Sequence, residues 1–181
     1  MRGKHSDYFK NTKAAITLHR EYGERNPHDF KGYNQNFWGI TAGDGPSDGA
    51  LQLDGRDRRF FGYMSRGVPY GPDDGTIAPW AMLATLPFGA EAALTGTRHL
   101  LKTYPQVCSN DRFASGFNPT FIAERGGWLS DGWYGLDQGL LGIMIENYRT
   151  ALIWKIFRKC SYVAAGLTRA GFEMNGSEDV G

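Results

Sequence analysis

Several features that would point to common functions are scarce in this sequence. Its two cysteines, Cys108 and Cys160, stand in no Cys-x-x-Cys or paired Cys/His spacing, so neither a disulfide framework nor a zinc site is predicted. We interpret both as buried, small apolar residues. The four histidines show no metal-ligand spacing, and His19 is interpreted as a core histidine on a helix face. We therefore expect no metal and no cofactor.

Charge of one sign is also missing. The 20 basic and 19 acidic residues nearly cancel, and no Lys/Arg run is longer than two. A nucleic-acid or anionic-lipid surface needs a basic patch, so we expect neither partner. No phosphate-binding glycine loop of the Gly-x-x-x-x-Gly-Lys or Gly-x-Gly-x-x-Gly type is present, and no serine lies in a nucleophile elbow.

Long hydrophobic runs are absent as well. No stretch of about 18 uncharged apolar residues occurs, and the first residues, Met-Arg-Gly-Lys-His, lack the apolar segment of a signal peptide. As written, the chain is predicted to have no membrane span and no export signal, which favours the cytoplasm. Its 181 residues, 41% of them hydrophobic, are typical of one globular domain.

Glycine and aromatic residues, in contrast, are plentiful. The chain has 25 glycines and an aromatic fraction of 14%. Together they indicate long ordered loops that carry flat side chains, which suit stacking on sugar rings or on bases. Because a basic patch is missing, a sugar is the better fit.

The periodicity of apolar residues predicts five helices separated by two long loops. We expect Gly23 to stop the first helix, Ser161 to cap the last one, and Gly171 to end it. The only strand signal is weak and lies at 58–64. An all-α architecture with its loops gathered at one end is therefore predicted, followed by a frayed tail at 173–181. The helices are expected at 6–22, 76–86, 89–103, 137–158 and 161–170, and the loops at 23–75 and 105–136.

The stretch from Asp137 to Arg149 carries two acids in costly places. Asp137 stands where the helical pattern begins, so it is either an N-cap or a carboxylate at the mouth of a pocket. Glu146 follows nine residues later, on the opposite face of an ideal helix, and is interpreted as a structural ion pair with Arg149. Gly135 and Gly139 would let a ligand approach Asp137 closely. The rings of Trp133 and Tyr134 would stack on that ligand.

Three further acids lie in the long first loop. Asp73 and Asp74 precede a predicted helix. Either one of them, or Thr76, caps that helix while the other acid points to solvent, or one acid binds substrate hydroxyls at the same mouth as Asp137. Asp44 has two similar interpretations: it forms an Asx-turn, or it binds a ligand.

Five motifs occur in fixed order along the chain, at 38–46, 71–79, 86–88, 136–139 and 144–149. Together they resemble the bacterial glycoamylase-like domain family, which is similar to endo-β-1,2-glucanases and to the glycoamylase-like part of cyclic β-1,2-glucan synthases. The resemblance covers about residues 1–172. One departure is Gly43, where the family more usually has Ser, and another is the insertion-like segment 47–60.

The resemblance implies a fold and an activity. The fold is an (α/α)6 toroid of twelve helices with a sugar cleft at one end, of which this chain looks like the C-terminal half, 1–172. The activity is carboxylate-catalysed hydrolysis of β-glucan, expected to be β-1,2-linked, with one catalytic carboxylate upstream. Family members commonly carry an export signal, which would make the whole protein periplasmic or secreted. A complementing N-terminal half is an expected partner.

The resemblance also implies roles for particular residues. Asp137 is expected to act as a base or as a substrate-orienting acid, and the remaining candidates are expected to contact sugar. The alternative is a half-domain that binds glucan without cleaving it, or one that is inactive; a subunit completed by a partner is a third option. The expected sugar contacts are Asp44, Asp73, Asp74, Gln138, Trp38, Trp128, Trp133 and Tyr134.

Overall fold

A computed structural model of the protein describes residues 2, 3 and 7–173. The described part is mostly helical, with six α-helices and four small two-stranded antiparallel sheets. The helices are α1 (Tyr8–Arg25), α2 (Ala81–Ala84), α3 (Ala90–Thr103), α4 (Gly135–Thr150), α5 (Leu152–Lys159) and α6 (Ser161–Arg169). The paired strands are β1 (Arg2–Gly3) with β8 (Phe172–Glu173), β2 (Gly49–Leu53) with β3 (Arg56–Phe60), β4 (Cys108–Ser109) with β5 (Arg112–Phe113), and β6 (Phe117–Asn118) with β7 (Trp128–Leu129).

Helix α1 is longer than predicted. It begins at the N-cap Asp7, whose carboxylate accepts two backbone hydrogen bonds, and continues through Gly23 to Arg25. Gly23 is not a stop. A Cβ on Gly23 would lie 2.7 Å from the carbonyl oxygen of Asn34, so glycine is needed there for close packing of α1 on a neighbouring loop. The helix ends instead at Asn26, which adopts the left-handed conformation.

The helix predicted at 76–86 is mostly wrong, because only Ala81–Ala84 are helical. Ile77 exchanges two backbone hydrogen bonds of 2.9 Å with Phe117, and both side chains are buried. This long-range pairing holds the segment before Pro79 out of a helix, although its local pattern is helical. The prediction for α3, at 89–103, is confirmed within one residue.

The helix predicted at 137–158 is two helices. Ala151 adopts a left-handed conformation, with φ 55°, and separates α4 from α5. The buried Asn147 side chain accepts a hydrogen bond from the Trp154 amide across this break. Alanine favours helices, so no local signal marks the position.

At the C-terminal end, some of the smaller predictions are confirmed and others are wrong. Helix α6 ends before Gly171 as predicted, but Cys160 rather than Ser161 occupies its N-cap position. Cys160 is exposed, which corrects its interpretation as buried, whereas Cys108 is partly buried against the core. Of the predicted tail at 173–181, Glu173 lies in β8 and 174–181 lie outside the described residues. No helix in the described part is both long and apolar enough to cross a membrane.

The hydrophobic core lies between α1, the loop around Phe37, and helices α2 and α3. Phe37 and Phe117 are fully buried, and their ring centroids are 6.5 Å apart. Tyr104, just after α3, lies 4.9 Å from Phe117 in the same way. The segment around Phe117 is thus fixed on the core, and it supports the site described below.

A buried ion pair connects the loops that precede α2. Arg66 Nε lies 2.8 Å from Asp74 Oδ1 and Arg66 Nη2 lies 2.9 Å from Asp74 Oδ2, with both side chains withdrawn from solvent. The same guanidinium donates to the carbonyl oxygens of Gly43, Phe61 and Gly62 at 2.8, 3.1 and 3.2 Å. We call Arg66, Asp74 and these carbonyls the Arg66 clamp.

The clamp controls the ionisation of Asp74. Burial, the largest single influence, would raise the pKa of this carboxyl, but the hydrogen bonds and charge of Arg66 oppose it. Hydrogen bonds from Thr76 and the Phe61 amide act in the same direction, so the pKa lies below the ordinary 3.8. A lowered folded-state pKa means that the stabilisation is present above pH 3.8 and is lost as the pH falls through the folded-state value.

We predict that Arg66→Met lowers the free energy of unfolding by about 3–5 kcal/mol at neutral pH, because it leaves the Asp74 charge buried and unpaired. The measurement is denaturant unfolding. The variant should also lose less stability between pH 5 and pH 3 than the unaltered chain does, because the carboxylate no longer prefers its charged form.

Arg56→Met is the matched control. Arg56 pairs with Asp29 at 3.4 Å, but both side chains are more than half exposed, so the expected loss is below about 1 kcal/mol. Equal losses in the two variants would contradict the importance of the clamp.

Candidate functional site

Asp137 lies in the first turn of α4 and is not its N-cap. Tyr134 occupies the N-cap position, and it makes no capping hydrogen bond through its side chain. The Asp137 side chain turns inward, where its Oδ2 accepts a 2.6 Å hydrogen bond from the buried hydroxyl of Ser115, and only 8% of the residue is exposed. The carboxylate is therefore held by a partner from another segment.

Gln138 makes a second link to the same segment. Its Nε2 donates to the backbone carbonyl of Phe113 at 2.9 Å. Phe113 belongs to the core, and Phe117 a little further along is fully buried. The first turn of α4 is thus tied by two side-chain hydrogen bonds to a segment that cannot easily move.

Three carboxylates influence the half-exposed phenol of Tyr134. A hydrogen bond to Asp44 is the main cause that raises the Tyr134 pKa, and the negative charge of Asp44 acts in the same direction. The charges of Asp131 and Asp137 raise the pKa further. We call Tyr134 and these three acids the Tyr134 cluster. It brings the Asp44 loop to the start of α4.

Gly116 lets the Asp44 loop and Trp128 approach each other. A Cβ on Gly116 would lie 2.7 Å from the carbonyl oxygen of Asp44 and 3.1 Å from the Trp128 ring. The Gly116 amide donates to the Ser130 hydroxyl at 3.1 Å, and the Ser130 amide donates back to the Gly116 carbonyl at 3.0 Å. The half-buried Trp128 is consequently fixed beside the Tyr134 cluster.

Trp133 offers a more exposed ring. It is 47% exposed, and the Arg112 guanidinium lies 4.9 Å from its ring centroid. A cation over one face orients an aromatic ring and leaves the other face open to a flat ligand.

Three of the predicted sugar contacts have other partners or positions. Trp38 is a core residue with 3% exposure. Asp74 is fully buried in the Arg66 clamp. Asp73 accepts hydrogen bonds from the phenols of Tyr22 and Tyr33 at 2.9 and 2.8 Å. The pKa of both phenols is raised, mainly by burial and next by the negative charge of Asp73. Trp38, Asp73 and Asp74 are therefore left out of the sugar contacts proposed below.

The structure agrees with the sequence interpretation of His19 and Glu146. His19 is partly buried, and that burial lowers its pKa against the opposing effect of Asp73. Glu146 forms the expected pair with Arg149, at 3.5 Å, and its other oxygen accepts from Thr150 at 2.5 Å. Glu146 is therefore a structural residue of α4.

Three residues of the site were missed from the sequence: Ser115, Gly116 and Asp131. Ser115 is 22 positions from the carboxylate that it binds, so no local spacing reveals the pair. The only available signal was the glycine-rich, aromatic character of the loop that contains all three. Within the described ranges, no group of three or more His, Cys, Asp or Glu side chains is arranged to hold a metal ion.

Comparisons with known proteins agree on one family. The sequence model of the glycoamylase family, described as "Putative glucoamylase", matches residues 2–161. A curated relative, the exo beta-1,2-glucooligosaccharide sophorohydrolase (non-reducing end) of Parabacteroides distasonis, is 28% identical over 167 residues, which are 92% of this chain and 20% of the relative.

Solved structures agree as well. A protein of Bacteroides uniformis, described as a putative glucoamylase, is 32% identical, with a TM-score of 0.77 over 99% of this chain and 38% of that one. The endo-beta-1,2-glucanase of Chitinophaga pinensis, solved in complex with sophorotriose and glucose, is 27% identical, with a TM-score of 0.76 over 95% of this chain and 37% of that one. The chain thus spans less than two fifths of these solved relatives and about a fifth of the curated one.

We predict that Gly116→Ala lowers the free energy of unfolding by about 1–3 kcal/mol, because the added methyl group would meet backbone on one side and an indole on the other. Thermal or denaturant unfolding measures the loss. Gly142→Ala is the control, since this exposed position in α4 has open space and should gain up to about 1 kcal/mol from helix propensity. A neutral Gly116→Ala variant would show that the Asp44 loop is not packed there.

Proposed function

This chain belongs to the glycoamylase family, as its motifs predicted, and on that premise we propose that it is a glycoside hydrolase-type domain that acts on β-1,2-linked glucan. The names of two relatives support the substrate, because one is a β-1,2-glucooligosaccharide sophorohydrolase and the other is an endo-β-1,2-glucanase. Exposed aromatic rings beside carboxylates are the surface that a neutral sugar chain requires.

The observation that carries the proposal is the placement of Asp137. Its Oδ2 is held by Ser115, while Oδ1 has no hydrogen-bond partner among the described residues. A carboxylate oriented in this way can accept a proton from a water or bind a sugar hydroxyl. We assign Asp137 the role of base or substrate-orienting acid.

The neighbouring side chains supply binding. Glycoside hydrolysis requires two carboxylates across the scissile bond. We propose that one comes from Asp137 and that the second lies in a part of the protein upstream of the described residues. Asp44 and Gln138 would then bind sugar hydroxyls. The rings proposed to stack on glucose are Trp128, Trp133 and Tyr134.

The helices are proposed to form part of an (α/α)6 toroid. One feature that supports further helices is an apolar stripe on α4, where Leu136, Leu140 and Ile143 share a face and are 82, 42 and 43% exposed. A contiguous apolar surface of this kind is typical of a covered face. We propose that a complementing N-terminal half packs against it.

The second candidate function is glucan binding without cleavage. It is favoured by the fact that the chain covers only 37–38% of the solved relatives, while hydrolysis needs two opposed carboxylates. Calorimetric titration with β-1,2-gluco-oligosaccharides, together with an assay of reducing-sugar release by the same chain, separates the two functions. Binding without turnover supports the second candidate.

We predict that Asp137→Asn reduces turnover of linear β-1,2-glucan by about 10²-fold or more in a form that contains the complementing half, because the amide cannot take up a proton. Reducing-sugar release measures the rate. Ser115→Ala should reduce turnover less, since the carboxylate remains but loses its fixed orientation.

Glu146→Gln is the control for a carboxylate of the same helix, and its turnover should stay within about twofold because Glu146 pairs with Arg149 on the far side. Unchanged turnover in Asp137→Asn would overturn the assigned role. No binding and no turnover of β-1,2-glucan by the unaltered protein would overturn the function itself.

A further inference from the structure

The loop that follows β3 runs beside the segment that carries Asp44. Gly43 and Met64 exchange two backbone hydrogen bonds, of 3.2 and 3.1 Å, in an antiparallel bridge. Two residues further along, the Gly62 amide donates to Asp48 Oδ1 at 2.9 Å. A Cβ on Gly45 would lie 2.9 Å from the Gly62 carbonyl oxygen, so the segments stay in contact beyond the bridge.

This register sets Tyr63 opposite Asp44. The residues that flank a hydrogen-bonded antiparallel pair face each other, with their side chains on the same side and their Cβ atoms about 4.5–5.5 Å apart. Asp44 follows Gly43 and Tyr63 precedes Met64, so the two residues are neighbours on either side of this isolated bridge. Tyr63 is 73% exposed, and its ring makes no aromatic or cation contact within the described part of the chain.

The backbone on which Tyr63 stands is fixed. Arg66 binds the carbonyls of Phe61 and Gly62 on one side of it, and the bridge to Gly43 holds Met64 on the other. A flat side chain on a fixed backbone loses little conformational entropy when it binds, which favours a binding role over a merely exposed tyrosine.

Tyr134 is close enough to Asp44 for this carboxylate to be the main cause of the raised pKa of the phenol. Asp44 therefore has an exposed tyrosine on each of two neighbouring elements, Tyr134 at the start of α4 and Tyr63 on the loop after β3. A carboxylate binds pairs of sugar hydroxyls, and aromatic rings stack on the apolar faces of pyranose rings.

We propose that Tyr63 forms a further sugar-binding subsite, at which a glucose unit distant from Asp137 stacks beside Asp44. The inference rests on the proposed glucan-binding function and adds to it a specificity for chain length. A disaccharide bound at Asp137 does not reach Tyr63, whereas a longer β-1,2-linked chain crosses Asp44 and contacts the ring.

The experiment compares Tyr63→Ala, Tyr63→Phe and Tyr70→Ala with the unaltered chain by calorimetric titration with linear β-1,2-gluco-oligosaccharides of two and five glucose units. For the pentasaccharide, Tyr63→Ala is expected to weaken binding roughly threefold to tenfold, the usual worth of one aromatic contact. Tyr63→Phe keeps the ring and should bind within about twofold of the unaltered chain. Tyr70 is 99% exposed on the same loop but lies outside the bridge to the Asp44 segment, so Tyr70→Ala should change nothing.

The outcomes distinguish this inference from the function on which it rests. If the unaltered chain binds the pentasaccharide and Tyr63→Ala binds it equally well, the subsite is overturned while the proposed function stands. Equal losses for the disaccharide and the pentasaccharide would also overturn it, since they would indicate a general disturbance of the loop. If the unaltered chain binds neither sugar, both proposals are overturned.

Discussion

The buried pair of Arg66 and Asp74 is the interaction on which the rest of the site depends. Arg66 holds the carbonyl next to Asp44, and the backbone carbonyl of Asp74 accepts a 2.9 Å hydrogen bond from Asn118. In the sequence, Asn118 follows Ser115, the partner of Asp137, by three positions. Because an uncompensated buried charge is costly, both partners must be present for either half of the site to keep its place.

Much of the fold could be predicted from local patterns, and the exceptions have a common physical cause. Helix α3 and the end of α6 follow their apolar periodicity and their terminal signals. The segment before α2 and the break at Ala151 do not, because Ile77 pairs with Phe117 and Asn147 bonds across the break. Each exception depends on a partner that a helical pattern does not contain.

The candidate site shows the same division. Asp137, Gln138 and Tyr134 could be selected from the sequence because they stand at a helix entrance among glycines and aromatic rings. Asp73 and Asp74 have the same local appearance, yet Tyr22 and Arg66 bind them from 51 and 8 positions away. A sequence reveals where a carboxylate is expensive to place, but the fold decides whether its partner is a side chain or a ligand.

The influence of Asp44 on the Tyr134 phenol has a consequence for the proposed recognition of sugar. Under the proposed function, a sugar hydroxyl that binds Asp44 competes with the nearby phenol, so binding there is an exchange of one donor for another. Such exchanges contribute a small net free energy even when each bond is strong. The role that we propose for Asp44 is therefore to distinguish between sugars by the geometry of their hydroxyls, with most of the affinity assigned to the aromatic rings.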